Sequence, residues 1–171
     1  LALTMIVRDP RIQQLVANQD RQGLLADLEP AFAAVSDRIS RFHIHLSNGT
    51  SLLRLHKPDQ FGDQLTRIRP MIRQIVETGE TIRGLEMGVH GLSYRVVMPV
   101  YYEGLRVGSA EFGVMIDDTT VIRFQQRRSG DYYLYVFEPA STRLLAGTSP
   151  DDPCPVLPEE LVRIRQGETI A

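Results

Sequence analysis

The chain has 171 residues, of which 43% are hydrophobic, a share that is ordinary for a globular domain and too high for a disordered one. Its 19 basic and 21 acidic residues give a net charge of −2, which excludes the strongly basic surface typical of nucleic-acid-binding proteins. The one cysteine, Cys154, excludes an internal disulfide framework and a zinc site built from cysteines.

The first 39 residues have the apolar spacing of a long helix. Asp20 is a candidate N-cap, and we expect Pro10 and Pro30 to kink or divide the helical run. The apolar stripe recurs at intervals of three and four, through Leu24, Leu28, Phe32, Val35 and Ile39. Such a face either packs against a sheet of the same domain or forms a homodimer interface.

A β-hairpin is predicted directly after the helical region. The segment 42–46 (FHIHL) alternates apolar and polar side chains, as a half-buried strand does. The segment 47–50 (SNGT) supplies an Asn-Gly turn, and the segment 51–57 (SLLRLHK) returns as a second strand that Pro58 stops.

Apolar residues regain a helical period over residues 59–79. Asp63 is a possible N-cap and Gly79 a possible C-terminal residue of this helix, while Pro70 predicts a kink or a late start. Three β-rich segments with glycine-containing connections then follow, at 81–88, 92–101 and 105–116.

This order predicts an α+β fold, with a long N-terminal helix plus a five-stranded antiparallel PAS-like sheet in residues 1–116. Residues 117–130 are expected to form a connecting helix. Residues 131–171 contain a further hairpin, so they are either the start of a second α/β module or a C-terminal extension.

Two groups of side chains suggest binding chemistry. His43 and His45 leave the same face of their strand and His56 follows on the partner strand, so they either bind a transition metal or are ordinary sheet histidines. Arg54 and Arg95 lie on different strands and either recognise a small carboxylate or other anion, or pair with acidic residues (Glu86 and Glu111) in a structural ion-pair network.

Enzyme signatures are absent from the sequence, which has no GxSxG, P-loop or HExxH motif. Binding is therefore favoured over turnover, and we expect neither catalytic residues nor a cofactor. An enzyme with His45 or His56 as general base, and a sensor that holds haem noncovalently or a metal through its histidines, are the alternatives.

Several segments resemble a known family. They are 51–63 (SLLRLHKPDQFGD), Arg69, 84–88 (GLEMG) and 91–113 (GLSYRVVMPVYYEGLRVGSAEFG). They resemble the extracytoplasmic sensor domains of bacterial chemoreceptors, sensor histidine kinases and diguanylate cyclases, most closely those of the double Cache group.

The resemblance implies a periplasmic domain of an inner-membrane protein that binds a small metabolite, and the arginines favour an anionic one. The region after residue 116 is short for a complete second module, so a single-Cache domain also stays open. Carried over residue by residue, the resemblance implies that the ligand contacts His45, Arg54, His56, Glu86, Tyr94, Arg95 and Tyr101.

Overall fold

The computed structural model describes residues 2–88, 91–138, 141–151, 153 and 156–168. Contacts divide the chain into two compact units, Leu1–Ile116 and Asp117–Ala171. Cys154 lies outside the described residues. Within these residues, no helix is long and apolar enough to span a lipid bilayer.

The N-terminal region forms three helices, so the division expected at Pro10 is confirmed, whereas a second break, before Arg21, was not expected. The three helices are α1 (Ala2–Arg8), α2 (Pro10–Ala17) and α3 (Arg21–Ala33). Asp9 starts α2 by accepting hydrogen bonds from the first backbone N–H groups of that helix, and Pro10 occupies its first turn. The second break follows from the left-handed backbone of Gln19 and from Asp20, whose predicted capping role is confirmed. Pro30 lies inside α3 and does not end it.

The first unit contains the predicted five-stranded antiparallel sheet. Its strands are β1 (Arg41–Leu46), β2 (Ser51–Arg54), β3 (Ile82–Gly88), β4 (Gly91–Tyr102) and β5 (Leu105–Met115), in the spatial order β2-β1-β5-β4-β3. The hairpin between β1 and β2 is confirmed, with Gly49 at a positive φ in its turn. The predicted second strand ends three residues early, at Arg54.

The helix predicted over residues 59–79 is shorter and forms α4 (Pro70–Thr78). The late start is confirmed, since α4 begins at Pro70. Proline is well suited to the first helical position because it needs no backbone N–H there. Gly79 ends the helix in a left-handed conformation with φ 70°. Asp63 is not the N-cap, since that position belongs to Arg69 and the Asp63 carboxylate binds Arg54.

The two faces of the sheet differ in chemistry. One face carries Phe42 and Ile44 of β1, and it packs against buried residues of the N-terminal helices such as Val16, Leu24 and Leu28. The apolar stripe of the helical region is therefore used within the domain. We call the other face the polar face; it carries the buried side chains His43, His45, Ser93, Arg95, Ser109 and Glu111.

The second unit contains α5 (Asp118–Gln125), β6 (Tyr133–Phe137), β7 (Thr142–Gly147) and α6 (Pro158–Arg165). The two strands pair in the antiparallel hairpin that the sequence predicts. The Asp118 carboxylate accepts a hydrogen bond from the Gly147 N–H at 2.9 Å, which joins α5 to β7. That this unit begins a second module stays a prediction.

Candidate ligand-binding pocket

A pocket of about 420 Å³ lies on the polar face of the sheet. Side chains of β1, β4 and β5 line it, together with the segment between β2 and α4, residues 55–69, which we call the pocket loop. Its volume is within the roughly 300–1,000 Å³ typical of small-molecule sites. Eight of its lining residues are charged, with Arg41, Arg54, Lys57, Arg69 and Arg95 opposing Asp59, Asp63 and Glu111.

Strand register explains why these charges meet. Arg41 of β1 lies opposite Gly113 of β5, which in turn lies opposite Arg95 of β4. One row further along β1 and β5, His43 lies opposite Glu111. Since directly opposed residues of antiparallel strands share a face, both rows belong to the polar face.

Four buried or nearly buried side chains, Arg69, Glu86, Arg95 and Glu111, form what we call the ion cluster. Both Glu111 oxygens accept hydrogen bonds from Arg69 Nη2, at 3.1 and 3.0 Å, and one also accepts from Arg95. Glu86 accepts from Arg69 and lies 3.4 Å from Arg95 Nε. Its other oxygen accepts from the Met71 N–H at 3.0 Å, so the cluster joins the sheet to the start of α4.

Within the ion cluster, Glu111 and Arg69 stay charged although they are withdrawn from water. Burial alone would raise the pKa of Glu111, but Arg69, His45 and Arg95 outweigh it, and the pKa of Glu111 is lowered. Burial opposes the charge of Arg69 as well, whereas Glu111 and Glu86 raise the pKa of Arg69. Two guanidinium groups thus pair with two carboxylates on the polar face of the sheet.

Three histidines beside the cluster are held in the neutral form. His43 Nε2 is hydrogen-bonded to Ser51 Oγ at 2.7 Å, and His45 Nδ1 to Ser109 Oγ at 3.1 Å. The His56 Nδ1–H donates to a backbone carbonyl of β1 at 3.2 Å. Burial is the main cause that lowers the pKa of His43 well below its usual value and the pKa values of His45 and His56 to about 4.

The ligand atoms of His43, His45 and Glu111 lie within 4.8 Å of one another, a spacing that suits a transition metal. However, Arg69 and Arg95 already donate hydrogen bonds to the Glu111 carboxylate. A divalent cation would lie next to two positive charges at a site with one carboxylate, and the repulsion is strong where water is excluded. These residues therefore fit a metal ion poorly.

The pocket loop is held on both sides by arginines. Arg54 donates to both oxygens of Asp63 at 2.7 Å, and these hydrogen bonds lower the pKa of Asp63. Arg54 also donates to the Gln60 carbonyl at 2.7 Å. From α3, the Arg21 guanidinium lies 4.0 Å from the ring centroid of Phe61, a cation–π contact at the outer part of the loop.

The structure brings some of the predicted site residues together at the pocket. Arg54, His56 and Arg95 line it. Glu86 and His45 are buried on the polar face but are not part of the lining. Glu86 belongs to the ion cluster, and His45 Nε2 lies 3.7 Å from a Glu111 oxygen.

Two predicted site residues, Tyr94 and Tyr101, lie outside the pocket lining. Tyr94 follows Ser93 and precedes Arg95 on β4, so strand alternation turns it to the opposite face, where it is 42% exposed. Tyr101 is 43% exposed and donates a hydrogen bond to the Gly79 carbonyl at 3.4 Å. The pocket therefore does not include these two side chains.

Sequence reasoning did not select Arg41, Arg69 or Glu111 as ligand-binding residues. Arg41 lies two residues before His43 on β1, and Glu111 lies two residues after Ser109 on β5. Because side chains two apart on a strand share a face, this alternation could have placed both residues on the polar face. Arg69 precedes α4, and its approach to the sheet depends on the path of the pocket loop.

The fold and the pocket define the class of this chain as an α+β ligand-binding domain. The family described as the double sensory domain of two-component sensor kinases (dCache_3) matches residues 1–149, and the chain belongs to this family. The resemblance predicted from the sequence is confirmed. Because the family is sensory, the chain is a sensor domain and not an enzyme.

Two solved structures show the same fold. The sensor domain of the V. cholerae histidine kinase DctB has a TM-score of 0.63 and 14% identity, with 96% of this chain and 66% of that chain covered. The extracellular domain of the putative histidine kinase vpHK1S-Z8 has a TM-score of 0.51 and 15% identity, with 66% of this chain and 47% of that chain covered. The chain thus spans about half to two thirds of these structures. No curated protein matches it in sequence.

Proposed function

We propose that this domain binds a small anionic metabolite in the pocket on the polar face, and that binding is the input of a bacterial signalling protein. The observation that carries the proposal is Arg41, which lines the pocket and forms no ion pair with any carboxylate of the described residues. An arginine left without an anion in a semi-enclosed site is suited to bind one from solution, because its planar guanidinium offers paired N–H donors.

The charge balance of the pocket supports the same conclusion. Five cationic side chains line it, and three lining carboxylates plus Glu86 oppose them. Within this set, Asp63 pairs with Arg54, and the members of the ion cluster neutralise one another. Arg41, Lys57 and Asp59 are left over, two positive charges and one negative. An anion bound in the pocket would therefore bring its net charge closer to zero, whereas a cation would raise it.

Signalling by the domain would follow from a shift between two arrangements of the pocket. A ligand that binds one arrangement better stabilises it by no more than its difference in affinity. The pocket loop and the start of α4 are the elements in position to move, because Arg69 and the Met71 N–H join them to Glu86 and the sheet. We propose that a ligand bound beside the ion cluster alters these contacts.

The setting proposed for the domain is the periplasm, as part of an inner-membrane chemoreceptor, histidine kinase or diguanylate cyclase. A homodimer through the N-terminal helices stays a prediction. Since Leu3 and Val7 of α1 are buried on the sheet side, such a dimer would use the outer surface of the helices, where Met5 is 67% exposed.

A thermal-shift screen tests the proposal. The panel contains short carboxylates, amino acids, amines and purines, and each carboxylate is compared with its neutral primary amide. We expect one or more carboxylates to raise the melting temperature and their amides to leave it unchanged. Only the acids carry a negative charge, with which Arg41 can form the ion pair that it does not form within the described residues. Stabilisation by amines or purines alone, or by no compound, contradicts the proposal.

A further inference from the structure

Two arginines that line the pocket flank one glycine of β5. Arg41 and Arg95 are the cross-strand partners of Gly113, one on each side. A Cβ atom added to Gly113 would lie 3.1 Å from Arg41 Cβ and 3.7 Å from Arg95 Cγ. The absence of a side chain at Gly113 therefore lets the two arginine stems approach each other across β5.

Both guanidinium groups retain donors for a ligand. Among the described residues, the hydrogen-bond acceptors that Arg41 reaches are only the Ser40 carbonyl at 3.5 Å and the Met115 sulfur at 3.8 Å, which are long contacts for a charged donor. Arg95 uses Nη1 for Glu111, whereas its Nη2 has a single contact at 3.5 Å, with Ser93 Oγ. An oxyanion between them would receive shorter, charge-assisted hydrogen bonds.

The proximity of the two cations also has an electrostatic signature. Burial lowers the pKa of Arg41, and the neighbouring positive charge of Arg95 lowers it further. An anion bound between the two groups would remove this repulsion.

The number of charges limits the kind of anion. The pocket cations Arg41, Arg54, Lys57, Arg69 and Arg95 exceed the carboxylates Asp59, Asp63, Glu86 and Glu111 by one. One negative charge therefore balances the site, whereas a doubly charged phosphate or dicarboxylate would leave it with net negative charge beside the buried Glu111.

We propose that Arg41 and Arg95, brought together over Gly113, form the subsite that binds the carboxylate of a monocarboxylate ligand. This inference rests on the proposed function and specifies it, because it names the residues that hold the anion and the charge that the ligand carries.

Calorimetric titration of the purified domain tests the subsite. The probes are propionate, lactate and benzoate, with propionamide as the neutral control. Succinate and inorganic phosphate are the doubly charged controls, in a buffer alkaline enough that both carry two negative charges. The variants are Arg41→Gln and Gly113→Ala. The matched control is Arg83→Gln, because Arg83 is exposed and lies on the face of β3 opposite Glu86.

We expect at least one monocarboxylate to bind the wild-type domain, more tightly than either doubly charged probe. Arg41→Gln should weaken this binding by about 10-fold to 100-fold, which corresponds to the loss of a charged hydrogen-bonding partner. Gly113→Ala should weaken it by less, since the added methyl group separates the two stems without removing a charge. Arg83→Gln should bind as the wild type does. Melting temperatures establish that each variant is folded.

A second readout is independent of affinity. In the domain with ¹⁵N-labelled arginine, the bound monocarboxylate should shift the Nε–H resonances of Arg41 and Arg95 but not that of Arg83.

The outcomes separate this inference from the proposed function. If an anion binds Arg41→Gln as tightly as it binds the wild type, and leaves the Arg41 resonance of the wild-type domain in place, the subsite is wrong although the pocket binds anions. If succinate or phosphate binds most tightly, the singly charged class is wrong. If no carboxylate or phosphate of either panel binds the wild type, the proposed function itself is wrong.

Discussion

Replacing His45 with glutamine tests whether the histidines of the polar face are held neutral by burial. His45 is fully buried, and glutamine retains a group that can hydrogen-bond to Ser109. Burial lowers the pKa of His45 from 6.5 to about 4. The unfolded chain therefore binds the proton more tightly than the folded domain, and acidification from pH 6.5 to pH 4 favours unfolding.

The size of the effect follows from that shift. Each pKa unit corresponds to about 1.4 kcal/mol, so His45 alone should remove about 3 kcal/mol from the free energy of unfolding between pH 7 and pH 4. Well above pH 6.5 the contribution of His45 to the free energy of unfolding should be constant. In His45→Gln this contribution is absent, so the variant should lose about 3 kcal/mol less than the wild type over the same range.

The assay is urea unfolding at half-unit steps from pH 4 to pH 7.5, followed by circular dichroism. The slope with pH is the quantity of interest, so a general loss of stability in the variant does not affect the result. Arg83→Gln serves as the control and should keep the wild-type slope. A direct NMR titration of the His45 imidazole should give a pKa of about 4. Equal slopes in wild type and His45→Gln, or an imidazole that titrates near pH 6.5, would refute the reasoning.

Two further substitutions test the elements that hold the site. Glu111→Gln leaves Arg69 and Arg95 with Glu86 as their remaining buried counter-charge, so it should lower the free energy of unfolding by about 3–5 kcal/mol in urea titration; a loss below about 1 kcal/mol would mean that the ion cluster contributes little. Asp20→Ala removes the side-chain cap of α3 and should cost about 1 kcal/mol in the same assay, while Asp20→Asn should retain most of it; equal losses in the two variants would contradict the capping role.

Local sequence patterns were sufficient to predict the sheet. The alternation in residues 42–46 and the Asn-Gly turn after it define β1 and β2, because a turn with positive φ and a period of two leave few other arrangements. The division of the N-terminal region was only partly foreseen. Pro10 was recognised as a possible break, but the left-handed residue Gln19 carries no comparable signal, and the stripe that continues through Leu24 suggested an uninterrupted helix.

The pocket was less predictable because it depends on contacts between distant segments. Arg95 could be placed on the polar face from its strand, and the same parity argument separates it from Tyr94. The orientation of Tyr101 could not be predicted from alternation alone, because the strand register is irregular between Val100 and Tyr101 at the end of β4. The position of Arg69 depends on how the pocket loop returns to the sheet, which no local period encodes.

A crystal structure of the domain with the most stabilising carboxylate of the thermal-shift panel is the most direct test of the central claim that the polar face is the ligand site. The account predicts density for the ligand in the 420 Å³ pocket, with carboxylate oxygens within hydrogen-bonding distance of the Arg41 and Arg95 guanidinium groups. A ligand bound on the opposite face of the sheet or in the second unit, with this pocket filled by solvent alone, would contradict it.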